Sequence, residues 1–345
     1  MKNITLNRFG FQIVALLLVL IITTLILLSV GAQPLQIYKD MLTGSVGSVK
    51  KISDVLVSWV PLLLVTAGLL ITFAAGLWNI GVEGQVTLGA IGTTMLLRSL
   101  QDSGMNPALI LGLSILAGMV SGALWAALAG ALKTFGGVNE IFGGLGLNFV
   151  ATALTIFLIF GPWKRPGTGS MSGTEPFAEP LHLTLFENLR LSPWALAVAI
   201  VGIVFVYFLL QGTYFGLRLK AVGKNFRAAY LLGIPTWQYM LFSFLLCGAL
   251  AGAAGALQVT GVYYRLIPAI SSGYGYLGLM VAMLINYQAI WAAPIAFFFA
   301  ALNIGSIQLP ILHKLDSSLS GVLQGMLVLF VLLAEGVRQR LTPRT

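Results

Sequence analysis

Charged side chains are scarce in this sequence. Only 8% of its 345 residues are Asp, Glu, Lys or Arg, whereas 58% are hydrophobic. Ordinary soluble domains carry about 25% charged residues, so an ordinary soluble domain is excluded. The apolar residues form runs of about 20, the length that crosses a bilayer as an α-helix, and they lack the alternation of barrel strands. The chain is therefore predicted to be an all-α integral membrane protein.

Cysteine and histidine are nearly absent. Cys247 is the only cysteine and lies in an apolar run, which excludes a disulfide framework or a thiolate metal site within the chain. His182 and His313 are the only histidines and lack an HExxH spacing, so we interpret both as plain residues of external loops. No metal site and no catalytic nucleophile are predicted.

Basic residues outnumber acidic ones, with a formal net charge of +9, but they are scattered through short segments between the apolar runs. Membrane topology accounts for this pattern better than nucleic-acid binding does. The 212–238 loop is basic and has no acidic residue, so we expect it on the cytoplasmic side. Residues 162–192 mix both signs and form a long predicted extracytoplasmic loop.

Hydropathy and breaker residues predict ten spans in a single domain covering 1–345. They lie near residues 10–32, 56–75, 85–100, 107–132, 140–161, 193–211, 239–258, 275–289, 291–309 and 319–335. With the N-terminus inside, an even number of spans places the C-terminus in the cytoplasm as well. A cleaved signal peptide is the alternative for the first run, but that run exceeds the 7 to 15 residues of a signal core. We therefore expect an uncleaved first span.

Two short segments resemble each other: "GQVTLGAIGTTML" from Gly84 and "GYGYLGLMVAML" from Gly273. The predicted topology runs them in opposite directions, as in an inverted repeat, where broken helices meet at a binding site. Glycines recur at helical spacing elsewhere and are predicted to pack helices closely. These glycines are Gly118, Gly122, Gly248, Gly252 and Gly255.

The segment "GLWNIGVEGQ" places polar residues between two apolar runs. Gly76, Gly81 and Gly84 permit backbone angles that other residues resist, so a broken helix or a tight turn is predicted. Asn79, Glu83 and Gln85 should avoid lipid, because a buried carboxylate costs about 3 kcal/mol on insertion scales. They either cap backbone groups at a buried turn or line a solute path.

Two further polar stretches are candidates for the path. In "VNEIFGGLGLNFVA", Asn139 is predicted to cap a helix, and Glu140, in the first turn, is favoured by the helix dipole. Asn148, about two turns further, is the better candidate for contact with a polar solute. In "GVYYRLIPAISSGYGYLG", Tyr264 is either an interfacial anchor or part of an outer mouth.

The 212–238 loop predicts a short helix from Phe226 to Leu232, capped by Asn225 and ended by Gly233. Phe226, Ala229 and Tyr230 would form its apolar face. Such a helix either lies on the membrane surface or sits in a partner's groove. Gly223 and Lys224 are followed by Asn225 rather than Ser or Thr, so there is no phosphate-binding loop.

The chain resembles the permease subunits of ATP-binding-cassette (ABC) importers, in the branch that includes ribose, branched-chain amino acid and nucleoside transporters. The resemblance covers nearly the whole length and is most specific in three segments. These are "LWNIGVEGQ" (77–85), "VNEIFGGLGLNFVA" (138–151) and "LRLKAVGKNFRAAYLLGI" (217–234). The first of them is closest to the nucleoside branch, linked to basic membrane lipoproteins.

This resemblance implies a type II importer-like fold with about ten helices, and two permease subunits, identical or paralogous, around a central path. It also implies cytoplasmic ABC ATPases that bind the ATP, an extracytoplasmic substrate-binding lipoprotein, and no cofactor in this chain. The loop residues that match the ATPase-docking pattern are Gly223, Asn225, Ala228, Ala229, Gly233 and Ile234. We include Phe226 among these ATPase-coupling residues, although it stands where a proline is common in the family. A second departure is "IFGGLGLNF", which replaces the more usual "ISTIMLNY".

We therefore expect a non-enzymatic permease subunit that imports nucleosides across the bacterial inner membrane. Simple sugars such as ribose or galactose are the alternative solutes. An ion-coupled carrier is a further alternative, but such carriers place ionisable groups within the membrane, and only Glu83 and Glu140 qualify. A scaffold without transport activity would show no solute flux.

Overall fold

A computed structural model describes residues 17–29, 31–167, 173–285, 288–314, 318, 321–322, 324–326, 328–331 and 333. Within these residues the regular structure is entirely helical and contains no β-strand, which confirms the predicted all-α class. The helices are α1 (Leu17–Ser29), α2 (Pro34–Val46), α3 (Val49–Ala74), α4 (Val82–Leu100), α5 (Pro107–Thr134), α6 (Glu140–Phe160), α7 (Pro193–Gly212), α8 (Tyr214–Lys224), α9 (Phe226–Leu231), α10 (Thr236–Gln258), α11 (Tyr274–Leu284), α12 (Ala292–Ser306) and α13 (Gln308–His313). A π-helical turn (Val259–Tyr263) extends α10.

Helix starts follow local capping chemistry. The Asn106 side chain accepts a hydrogen bond from the N–H of Ala108 at 2.9 Å, and Pro107 occupies the first position of α5. Asn139 accepts from the Ile141 N–H at 2.9 Å at the start of α6, which confirms its predicted capping role. These side chains satisfy backbone donors that a helix leaves unpaired at its beginning.

Among the described residues, six helical segments are long and apolar enough to cross a membrane, or seven if α1 and α2, bent by 110° at their break, form one span. The chain is therefore a multi-pass membrane protein, but the predicted ten spans are not confirmed. The predicted 275–289 span is α11, which has only 11 residues, and α4 is not among the six. Of the predicted first and last spans, residues 10–16 and 30 and seven of the residues 319–335 lie outside the described residues.

One compact unit comprises residues 56–296. Its central helix is α3, in which 83% of the most apolar 18-residue stretch is buried. In α6 the buried share of the corresponding stretch is only 22%, which leaves an apolar face for lipid or a partner. Glycines join α4, α5 and α10, as predicted. A β-carbon on Gly122 would lie 2.7 Å from the Gly252 Cα, so these helices touch through their backbones.

The described residues from the two ends of the chain form a second compact unit. Leu27, Ile37, Met41 and Leu309 make its buried cluster. His313 pairs with Asp40 at 2.8 Å. The prediction that His313 is a plain loop residue was wrong, because it ends α13 and its ring is held by a carboxylate on α2.

Candidate functional site

The "GLWNIGVEGQ" segment breaks the helical path between α3 and α4, as predicted. α3 ends at Ala74, and Gly76 then adopts φ +74°, a left-handed conformation that strongly favours glycine. The Leu77 N–H returns to the Thr72 carbonyl at 3.0 Å and closes the turn. The chain then runs without regular structure until α4 begins at Val82.

Asn79 and Gln85 form a reciprocal amide pair across this break. Asn79 Nδ2 donates to Gln85 Oε1 at 3.2 Å, and Gln85 Nε2 donates to Asn79 Oδ1 at 3.0 Å. Asn79 Nδ2 also lies 3.1 Å from the Sγ of Cys247 on α10. Both amides are almost completely buried, so in this conformation their polar groups bind each other rather than water.

Asn148 on α6 holds the backbone of the same break. Its Oδ1 accepts from the Gly84 N–H at 2.8 Å, and its Nδ2 donates to the Ile80 carbonyl at 3.0 Å. Gly144, one turn earlier on α6, lies directly against Gly81. Asn148 is eight residues beyond Glu140, or about 12 Å at 1.5 Å per residue, so the break lies well inside the bundle.

Glu83 connects the beginnings of two helices. It lies in the first turn of α4, and its carboxylate accepts hydrogen bonds from the N–H groups of Gly273 at 3.1 Å and Gly275 at 2.6 Å, at the start of α11. Two positive helix ends thus meet one carboxylate, which favours its charge. Glu83 thus caps backbone groups, one of its two predicted roles, and these groups belong to the start of α11.

Asn79, Glu83, Gln85 and Asn148 therefore all make hydrogen bonds at or beside this break, and the group is here called the polar junction. Four of the five predicted path residues belong to it, although whether they contact solute remains a prediction. The sequence did not identify Cys247, Gly273 or Gly275 as its partners. The only available signal was the glycine spacing in "SSGYGYLG", which also starts the second half of the short repeat.

Tyr264 has its contacts in a different region. It adopts φ +54°, and its ring stacks on that of His182 with a centroid distance of 3.8 Å. Burial raises the pKa of the Tyr264 phenol, so the hydroxyl stays neutral at physiological pH. The Tyr264 carbonyl accepts from the Phe177 N–H at 2.9 Å. His182 was predicted to be a plain loop residue, but it supports this stack.

Backbone hydrogen bonds fix the loop around Phe177 to the segment after α10. The Thr174 N–H donates to the Leu266 carbonyl at 2.9 Å, and the Leu183 N–H donates to the Thr260 carbonyl at 2.9 Å. The Leu266 N–H in turn donates to the Thr174 hydroxyl oxygen at 3.1 Å. This part of the predicted extracytoplasmic loop is thus an ordered layer over the π-helical turn.

The predicted short helix in the 212–238 loop is α9. Asn225 Oδ1 accepts from the Ala228 N–H at 3.0 Å, and Gly233 adopts φ +78° just beyond the helix. The Ile234 N–H returns to the Ala229 carbonyl at 3.1 Å. Asn225, Gly233 and Ile234 therefore define the ends of the helix, and its predicted capping is confirmed.

The predicted apolar face of α9 is divided between two environments. Ala229 is only 2% exposed and faces the protein, whereas Phe226 and Tyr230 are 50% and 67% exposed. Ala228 is exposed too. Phe226, Ala229 and Tyr230 lie on one side of the helix by their spacing, but only Ala229 is buried against the protein. Tyr230, Leu231 and Leu232 form an exposed apolar surface, here called the α9 tip.

Gly223 links this loop to the break after α3. A β-carbon on Gly223 would lie 2.8 Å from the Gly76 nitrogen and would also collide with the Ala74 carbonyl oxygen. The end of α8 therefore rests backbone to backbone on the turn that leads into the polar junction. A displacement of α8 and α9 would press directly on residues 74–76.

Comparison with known proteins identifies the family of this chain. Residues 51–332 match the family described as branched-chain amino acid transport system / permease component. A glucose ABC transporter permease protein of Haloferax volcanii is 29% identical over 95% of this chain and 88% of its own length. A guanosine ABC transporter permease protein of Bacillus subtilis is 27% identical over 94% and 93%. A nucleoside ABC transporter permease protein of Lactococcus lactis subsp. cremoris is 27% identical over 86% and 82%.

The family match covers more than half of the chain. The alignments with the glucose and guanosine permeases also cover most of the length of those proteins. The family match includes the polar junction, the α9 helix and the loop around Phe177. The resemblance identified in the sequence is thereby confirmed. The chain belongs to the branched-chain amino acid transport system permease family, and it is an ABC transporter permease.

Proposed function

We propose that this chain is the permease subunit of an ATP-driven importer that moves nucleosides across the bacterial inner membrane. A separate cytoplasmic ABC ATPase hydrolyses the ATP, and this chain binds no cofactor. The observation that carries the proposal is the link from the exposed, capped α9 helix through Gly223 to the break at residues 74–76. It is a mechanical connection from a loop to a polar cluster inside a membrane bundle.

The choice of nucleosides rests on the "NIGVEGQ" segment and on the relatives described as guanosine and nucleoside permeases. A simple sugar is the second candidate, because the relative covering 95% of the chain is a glucose permease. Asn79, Glu83, Gln85 and Asn148 would line the solute path when the polar junction rearranges, and Tyr264 would lie at its outer mouth.

Uptake by the reconstituted complex tests the proposal. With the ATPase and binding lipoprotein in proteoliposomes, labelled guanosine should accumulate only when ATP is supplied. Accumulation of labelled glucose instead would establish the sugar alternative. Uptake that survives ATP depletion and collapses with an ionophore would contradict an ATP-driven importer.

The coupling residues follow from the same proposal. The α9 tip would dock on the ATPase, with Phe226 and Ala228 beside it. Asn225, Gly233 and Ile234 would hold the helix in shape, and Gly223 and Ala229 would transmit its movement inward. The alternative, a helix that lies on the membrane surface, would bury the same exposed side chains in lipid headgroups.

Leu231→Glu should therefore separate the permease from its ATPase. Leu231 is 83% exposed, so the change should leave the fold intact. Loss of a central apolar contact costs about 2 kcal/mol, or about 30-fold in affinity. Co-purification of the ATPase measures the effect. The control is Leu217→Glu, a 64% exposed leucine on α8 of the same loop, which should leave binding unchanged. Equal ATPase recovery with both variants would favour the membrane-surface alternative.

The remaining architecture is also proposed. We infer one permease domain over residues 1–345, with ten spans, cytoplasmic termini, 212–238 as the coupling loop and 162–192 outside. An inverted repeat would relate α4 to α11, and the meeting of both helix starts at Glu83 supports it. A second copy or a paralogous permease would complete the path.

An extracytoplasmic substrate-binding lipoprotein would deliver the solute. A recess of about 520 Å³ lies between the α4–α5 connection and the loop around Phe177 and offers a docking surface. Arg98, Asp102 and Glu175 line it and supply charges of both signs. Arg98 lies over the ring of Trp163, with 5.8 Å from its guanidinium carbon to the ring centroid.

A further inference from the structure

We infer that Glu83 is a positioning residue that latches the start of α11 to the start of α4, and that releasing this carboxylate lifts α11 from α3. The inference deepens the proposed function, because the latch would open the solute path during import. Its test, however, requires no knowledge of the solute.

The carboxylate engages α11 through both of its oxygens. Oε1 accepts from the Gly273 N–H and Oε2 accepts from the Gly275 N–H. Withdrawing either oxygen would leave one of these N–H groups without its hydrogen-bond acceptor. The side chain of Ser271 lies close to the carboxylate. Gly275 approaches so closely that a β-carbon there would lie 2.8 Å from the Glu83 Cα and would collide with Oε2. The two helix starts therefore fit each other only with glycine at position 275.

The entry into α11 needs external support. Ser272 and Gly273 both adopt left-handed backbone, with φ +50° and +74°. Such a conformation at a non-glycine residue costs on the order of 1 kcal/mol and persists where its surroundings hold it. Glu83 supplies two of the holding contacts. A third is the Tyr274 hydroxyl, which donates to the Ser58 Oγ at 3.1 Å.

The start of α11 also separates exposed residues from buried ones. Ser272 and Tyr276 are exposed, whereas Tyr274 and Gly275 beside them are buried. Behind this layer, α11 rests on α3 at Gly278, where a β-carbon would lie 2.7 Å from the Cγ1 of the fully buried Val65. Lifting the start of α11 would therefore expose Val65 to water.

A cysteine at position 65 reports this movement. The full-length Val65→Cys protein is labelled in membrane vesicles with a membrane-impermeant maleimide, and the buried native Cys247 supplies the background. Glu83→Gln keeps the size of the side chain but points an amide donor at a backbone donor. Losing one charge-assisted hydrogen bond, at about 1.5 to 3 kcal/mol, should raise the labelling rate about tenfold or more.

Glu140→Gln is the matched control. Glu140 also lies in the first turn of its helix, but it pairs with the Lys133 side chain at 2.7 Å and not with the start of α11. Its labelling rate should equal that of the parent. Equal rates for Glu83→Gln and Glu140→Gln would overturn the latch.

Two further variants keep the test decisive if Glu83→Gln does not fold. Glu83→Asp retains the charge but withdraws it by one methylene group, so an intermediate rate is expected and the parent rate would overturn the proposal. Gly275→Ala breaks the same contact from α11. Adding Gly275→Ala to Glu83→Asp should raise the labelling rate little further, because both changes disrupt the same interaction. Additive effects would contradict the latch. A failure of guanosine uptake leaves these labelling results untouched.

Discussion

Gly252→Leu is expected to abolish folded protein in the membrane. Gly252 sits where α10 crosses α5, and a β-carbon there would lie 3.1 Å from the Met119 Cα and would collide with the Gly118 carbonyl oxygen. Both obstacles are backbone, so no side chain can rotate away. Overpacking costs about 1 to 3 kcal/mol even where neighbours can adjust, and a leucine against a helix backbone should cost more. Total stability is only about 5 to 15 kcal/mol.

The control for this change is Gly112→Leu on α5. A β-carbon on Gly112 would have no atom within 4 Å, so a leucine there projects from the helix without a collision. Monodisperse elution in detergent and the yield from membranes should match the parent for Gly112→Leu and fall below detection for Gly252→Leu. Normal yield and elution of Gly252→Leu would show that α5 and α10 do not pack as described.

Asn148→Ala is expected to destabilise the protein by about 2 to 6 kcal/mol. The change removes both hydrogen bonds from α6 to the break and leaves the Gly84 N–H and the Ile80 carbonyl without partners. Each unpaired buried group costs about 1 to 3 kcal/mol. The midpoint of thermal unfolding in detergent should fall accordingly, and uptake should fall with it.

Asn139→Ala makes the same chemical change on the same helix and serves as its control. Asn139 is exposed and caps only the N–H of Ile141, so its loss should cost about 1 kcal/mol. If Asn148 instead contacts the solute and contributes nothing to packing, Asn148→Ala will leave thermal unfolding unchanged and raise only the substrate concentration needed for half-maximal uptake. That result would refute the structural role described here.

Features set by neighbouring residues could be predicted from the sequence. The cap of α9 needs only Asn225 and Gly233, and the break needs only the glycines of one segment, so both were foreseen. Close packing at Gly118, Gly122, Gly248 and Gly252 followed from helical spacing. The causes of the cap and of the break lie within one short segment of chain, whereas the glycine spacing predicted close packing but not which helices meet.

Features set by distant residues could not be predicted. Glu83 was identified as a buried carboxylate, but its partners lie 190 and 192 residues away at Gly273 and Gly275. The contact between Asn79 and Cys247 spans 168 residues. Sequence offers donor and acceptor types, but not which of many buried groups meet.

The ten predicted spans remain a prediction, and α4 and α11 show why length and hydropathy do not decide their number. Hydropathy assumes that a span is one long apolar helix, whereas α4 and α11 both begin at the polar junction, where protein groups satisfy their first turns. Neither helix therefore needs the full length or apolar character of a lipid-facing span.

The anchoring of the loop around Phe177 has an evolutionary consequence. Apart from the one made by the Thr174 hydroxyl, its hydrogen bonds to Thr260, Tyr264 and Leu266 are made by main-chain atoms, which every residue except proline can supply in full. Exposed side chains along this rim are therefore free to diverge while the rim keeps its position. If the proposed lipoprotein docks here, natural selection could change which lipoprotein is accepted and leave the backbone beneath unaltered.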